Sequence, residues 1–120
     1  MKPTGPTNPY LRKLIEELKK KSKEFEAPIW AAVAEKLGRP RRKKVEVNVI
    51  DIERHAKENE TVVVPGVVLS YGELSKPVKV AAWRFSQKAK EKIEKAGGKC
   101  MSIEELVNEN PRGSNVRILT

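Results

Sequence analysis

Cysteine and histidine each occur once in the 120 residues, as Cys100 and His55. An internal disulfide is therefore impossible, and a zinc site would have to be assembled mostly from carboxylates. No metal centre and no other cofactor is expected. No apolar run approaches the roughly 20 residues of a membrane span. The first six residues, Met1 to Pro6, lack the apolar core of a secretory signal. A soluble, cytoplasmic chain with no membrane partner is the expectation. Glutamine also occurs once, at Gln87, while lysine and glutamate are abundant, which is the pattern of a heat-adapted source. With 38% hydrophobic and 34% charged residues, the chain is long enough for one domain around a modest core.

Acidic residues are scarce in one region only. Residues 1–44 carry thirteen Lys/Arg against five Asp/Glu, whereas residues 45–120 carry twelve against eleven. Heat adaptation accounts for the mixed charge of the later part but not for this one-sidedness. The excess peaks in Gly38-Arg-Pro-Arg-Arg-Lys-Lys44, which holds five cations and no acid. Cations of one sign between two ordered elements suit a phosphate backbone as partner.

Taken in order, residues 1–7 read as a flexible arm, with Lys2 its one charge. Asn8-Pro9 is a helix-start signal, a capping side chain followed by proline at the first helical position. Leu11, Leu14, Ile15, Leu18 and Phe25 then fall mostly on one stripe, opposite Arg12, Lys13, Lys19, Lys20, Lys21 and Lys23. Ala27-Pro28 restarts a helix with Ile29, Trp30, Val33, Ala34 and Leu37 on its apolar side and Gly38 as terminator. The short connection predicts an antiparallel pair over 8–37. Trp30, on that stripe, reads as core and not as a base-stacking platform. Beyond the basic loop at 38–44, residues 45–120 read as an α/β unit. Val45, Val47 and Val49 alternate as a strand, and Ile50–Ala56 is a short helix. Thr61–Val64 is a buried strand stopped by Pro65-Gly66, with Val67–Leu69 as another. A strand around Val78–Phe85, a Ser86-capped helix to about Ala96, a Ser102-Ile-Glu-Glu105 capping box and a last strand at Asn115–Leu119 follow.

The leading candidate site is the basic loop, where Arg39, Arg41, Arg42, Lys43 and Lys44 each suit a phosphate and Pro40 limits the ordering cost of binding. The cations of the first helix add a neighbouring face, and Arg112 in Pro111-Arg-Gly-Ser114 is a weaker addition. Enzymatic chemistry finds no support. Nothing in the spacing of Cys100 and His55 suggests contact, and Cys100 reads as a small core residue. Asp51 and Glu53 lie two apart on a helix and so point different ways. Val64-Pro-Gly-Val67 lacks the glycines of a phosphate-cradling loop. No catalytic residue and no small-molecule substrate is expected.

Several segments together resemble the archaeal and eukaryotic large-subunit ribosomal protein L-eighteen-e family, a relative of the bacterial L-fifteen family. They are Thr7-Asn8-Pro9, Arg39-Pro40-Arg41-Arg42 leading into Val47-Asn48, Thr61–Gly66, Val80-Ala81-Ala82 with Phe85-Ser86, and Asn110-Pro111 through Gly113-Ser114-Asn115-Val116-Arg117. Their order and spacing carry the likeness, from about residue 7 to the end. The resemblance implies a non-catalytic constituent of the large ribosomal subunit that binds ribosomal RNA beside neighbouring ribosomal proteins. It also implies an α/β fold built as an irregular superhelix of β-β-α turns, and a basic segment at Arg39, Arg41 and Arg42. The abundance of lysine and glutamate favours an archaeal source over a eukaryotic one. The competing reading is a DNA-binding or chromatin-associated protein using 9–25 and 28–37 as a helix-turn-helix. The second of those helices offers only Lys36, beside Glu35, for such a role.

Overall fold

A computed structural model describes residues 8–38 and 45–120, so the arm at 1–7 and the basic segment at 39–44 lie outside the described residues. Helix α1 spans Pro9–Glu24 and begins as the sequence predicts: Asn8 Oδ1 accepts the backbone N–H groups of Tyr10 and Leu11 at 2.8 and 3.3 Å. It ends without a glycine. Glu26 takes φ 51°, and the Ala27 N–H reaches back to the Ser22 carbonyl at 3.0 Å, the six-residue closure that satisfies a helix end and reverses the chain. Helix α2, Pro28–Leu37, then folds back along α1, so that Gly38 at its end lies beside Ile15.

The remaining elements are β1 (Val45–Asn48), α3 (Val49–His55), β2 (Thr61–Leu69), β3 (Lys79–Phe85), α4 (Gln87–Lys95), β4 (Lys99–Ser102), α5 (Ile103–Glu109) and β5 (Val116–Ile118). All strand pairings are parallel, in the order β1-β2-β3-β4, with β5 also paired to β2. Parallel neighbours force a crossover at each connection, so the chain coils as it advances. The sheet is buried on both faces. On one, Val62, Val64, Val80 and Ala82 meet Ile52 of α3 and Ala89 and Ile93 of α4. On the other, Val63, Ala81 and Met101 meet Trp30 and Val33 of α2 and Ile103 and Leu106 of α5. Helix α1 packs on α2 and α5, outside the layer that touches the sheet.

Two of the strand boundaries that differ from the sequence reading have a physical cause in the structure. Thr61–Leu69 is one strand, not two separated by Pro65-Gly66. Strand β5 pairs with Thr61–Val63 and β1 with Gly66–Leu69, along the same strand. Pro65, which has no N–H to give, falls in the gap between them. The register with β3 slips there too, between Val64 opposite Ala82 and Val67 opposite Arg84. Because of that slip Phe85 joins Val80 and Ala82 on one face although its position in the sequence is odd. Val49 belongs to α3 instead of β1, since Asp51 Oδ2 accepts the Asn48 N–H at 2.9 Å and starts the helix one residue earlier.

Gly66 holds the strand crossing in place. A Cβ there would strike the Val45 carbonyl oxygen, backbone that cannot move without breaking the β1–β2 pairing. Gly66→Ala is expected to destabilise the fold by about 2 kcal/mol or more, read as a lowered thermal midpoint. An unchanged midpoint would show that β1 is free to shift.

Candidate nucleic-acid interface

The buried residues of α1 are Leu11, Leu14 and Leu18, so its opposite side faces outward. At about 100° per residue, Arg12, Lys19 and Lys23 share a band roughly 40° wide, with Lys20 and Lys13 about 60–80° further round. All five are exposed and make no ion pair among the described residues. Glu16 falls inside the same arc, yet it too has no ion pair there. From Arg12 to Lys23 the face runs about 16 Å along the axis. Lys21 differs from the others. It points toward the helix turn, 3.9 Å from Glu24 and 5.5 Å from the Phe25 ring centroid, so part of its charge is already used.

Arg112 is exposed on a turn that is fixed firmly. Trp30 Nε1 donates to the Pro111 carbonyl at 2.6 Å, and Asn110 Nδ2 donates to the Ser114 carbonyl at 2.8 Å. Gly113 has φ 67° and lies so close to Ile29 that a Cβ there would contact Cγ2 at 2.5 Å. The turn therefore rests on the start of α2, near the end of α1. Trp30 is fully buried, as the sequence predicts. Arg39, Arg41, Arg42, Lys43 and Lys44 lie outside the described residues. The segment they form starts after Gly38, beside Ile15, and ends at Val45 on β1.

The cations of the body are spent internally to a greater degree. Lys92 Nζ donates to the Ser70 and Gly72 carbonyls at 2.9 and 2.7 Å and sits 3.3 Å from Glu73, tying α4 to the loop after β2. Arg117 lies 3.1 Å from Glu60, and Lys79 lies 3.8 Å from Glu109. The Lys57 N–H, with Arg117 beside it, holds the Glu60 carboxyl below its usual range. The Ser75 N–H does the same for Glu53, whose carboxylate also takes the Ser75 hydroxyl. Asp51 and Glu53 are thus structural acids with separate partners.

Cys100 is half-buried: it packs against the edge of the core and also lines a cleft at the β4 edge with Trp83, Arg84, Lys90 and Glu105. Burial, with Glu94 nearby, pushes its thiol up to about 11, the wrong direction for a nucleophile. His55 lines neither this cleft nor the open one between residues 57–61 and 114–117. Among the described residues no group of His, Cys, Asp and Glu could hold a metal ion. The sequence reading overlooked the Trp83 cleft because it followed only the Val78-Val80-Ala82 side of β3.

Fold and surface together define a parallel α/β protein with helices on both faces and an outer helix whose cations, among the described residues, are largely unpaired. A family described as "Ribosomal protein 60S L18 and 50S L18e" matches residues 2–120. The chain is 55% identical to the large ribosomal subunit protein eL18 of Methanopyrus kandleri, over 98% of this chain and 96% of that one. It is 58% identical to eL18 of Archaeoglobus fulgidus, covering 94% and 97%, and 52% identical to that of Methanococcus maripaludis, covering 99% of each. The chain belongs to the L18/L18e family of large-subunit ribosomal proteins. No helix among the described residues is long and apolar enough to cross a membrane.

The shielded thiol has a measurable signature. Between about pH 9 and about pH 10 the alkylation rate of Cys100 is expected to climb roughly tenfold, because thiolate is the reacting form. A rate that levels off by about pH 9.5, as for an ordinary thiol, would show that the cleft leaves the sulfur open to water.

Proposed function

We propose that the protein is a structural, non-catalytic constituent of the large ribosomal subunit that grips ribosomal RNA through its phosphates. The observation that carries this reading is the exposed face of α1, where Arg12, Lys13, Lys19, Lys20 and Lys23 have no acidic partner among the described residues. Arg39, Arg41, Arg42, Lys43 and Lys44 are added as phosphate-binding residues on composition alone. Arg112 adds a cation at the end of the helix pair, and Lys21 contributes less because Glu24 is beside it. Contacts of this kind position the protein by shape and charge more than by base identity. The near-neutral body is left to pack against RNA or neighbouring ribosomal proteins.

A helix-turn-helix on DNA fits poorly. The second helix of such a motif must enter the major groove, yet α2 buries Trp30, Val33, Ala34 and Leu37 against the sheet and α1. Its exposed positions, Pro28, Ala31 and Glu35, offer no cation.

Replacing Lys19, Lys20 and Lys23 together with alanine is expected to weaken binding to large-subunit ribosomal RNA and to reduce the log–log salt slope by about 2 to 3. Arg41→Ala with Arg42→Ala is expected to reduce it by about 1 to 2. Fluorescence anisotropy across a salt titration reads both. Slopes equal to that of the unmodified chain would move the contact elsewhere, and duplex DNA outcompeting structured RNA would favour the helix-turn-helix.

A further inference from the structure

The cleft at the β4 edge has a composition that neither the core nor the cationic helix explains. The end of β3, the first turns of α4 and α5, and β4 enclose about 330 Å³ of open space there. That is the lower end of the range for small-molecule sites. Trp83 is half-buried, resting on the α2/α5 side of the core while its ring also borders the cleft. The Arg84 guanidinium lies 5.7 Å from the ring centroid. Neither Arg84 nor Lys90 makes an ion pair among the described residues. The one acid in the cleft, Glu105, is committed to its own helix: Oε1 accepts the Ser102 N–H at 3.2 Å while the Glu105 N–H donates to Ser102 Oγ at 3.1 Å.

We infer that this cleft takes an unstacked nucleobase of the bound RNA, an assignment that rests on the RNA reading above. A guanidinium held over a flat aromatic ring offers a plane on which bases splayed out of a helix stack. Lys90 supplies the charge for an adjoining phosphate. The other exposed aromatics lack this setting: Tyr10 and Tyr71 stand 77% and 72% exposed and line neither cleft. The contact is distinct from the α1 face in kind. It depends on the base and not only on the backbone, so it adds selectivity for a looped or bulged segment over a regular duplex.

The test uses the full chain, a short oligoadenylate and an abasic ribose-phosphate oligomer of the same length. Cys100 is the chain's only cysteine and lines the cleft, so its alkylation rate reports occupancy directly. Oligoadenylate is expected to slow that rate several-fold and the abasic oligomer to leave it unchanged. Trp83→Leu should weaken oligoadenylate binding about tenfold with an unaltered salt slope, and Trp83→Phe should restore most of it. Arg84→Glu changes an exposed side chain and so tests the cleft without disturbing the core. Equal binding of both oligomers with Cys100 unprotected, or Arg84→Glu binding as tightly as the unmodified chain, would overturn the assignment while leaving the phosphate contacts standing. Failure of the unmodified chain to bind either oligomer or ribosomal RNA would overturn the RNA reading itself.

Discussion

The pairing of β2 with three other strands is the constraint on which the fold depends. A strand in an open sheet normally has two neighbours, but the nine residues of β2 give one side to β3 and divide the other between β5 and β1. That division works because the strand is interrupted chemically where its partners change. Pro65 lacks the donor that a continuous ladder would need, and Gly66 lets the β1 backbone come closer than any side chain permits. The valines on either side bury the strand on both faces, which joins the two halves of the core through one element. Removing β2 would leave β1 and β5 without a partner and α2 without a floor.

From that sheet the layers follow outward, and so does the availability of charge. Helix α2 is consumed by packing, with four of its ten residues buried. Helix α1 lies outside α2 and α5 and gives up only Leu11, Leu14 and Leu18 to burial. Ile15 packs partly against the same core, and the opposite, cationic surface is not needed for folding. An outer helix with a narrow apolar stripe is therefore where cations can gather at the least cost to stability. The turn at Pro111–Ser114 reaches the same end of the helix pair because Trp30, deep in the core, donates to it. A core residue thereby positions an exposed arginine.

Much of this was legible in the sequence, and the parts that were not share a cause. The caps at Asn8, Ser86 and Ser102 are local signals, and each helix begins where its capping residue stands. The leucine stripe of α1, the burial of Trp30 and the short helix around Ile52 were likewise readable from periodicity. Pro65-Gly66 was misread because proline and glycine normally end a strand. Only the placement of β5 and β1, the last and first strands, makes an interruption in mid-strand harmless. The Trp83 cleft was invisible for the same reason: it is assembled from β3, α4, β4 and α5. Cys100 packs on the core but is only half-buried, and its neighbours in sequence do not reveal that β4 is the edge strand.

The uneven distribution of charge can be weighed against its cost. Lys19 and Lys23 are four apart on α1, and Lys20 and Lys23 three apart, spacings at which like charges weaken a helix by about 0.2–0.5 kcal/mol per pair. Burying each of the three leucines contributes about 1.5–3 kcal/mol in the other direction, so α1 holds to the body despite the repulsion. The body carries twelve Lys/Arg against eleven Asp/Glu, so its charge nearly balances overall. Lys92, Arg117 and Lys79 are matched directly by Glu73, Glu60 and Glu109. Screening confines the repulsion within a Debye length of about 8 Å at physiological salt, less than the distance from one end of the α1 face to the other. Among the described residues the repulsion is therefore local to the α1 face rather than a strain on the whole fold. A polyanion laid along that surface relieves it without any rearrangement of the sheet beneath.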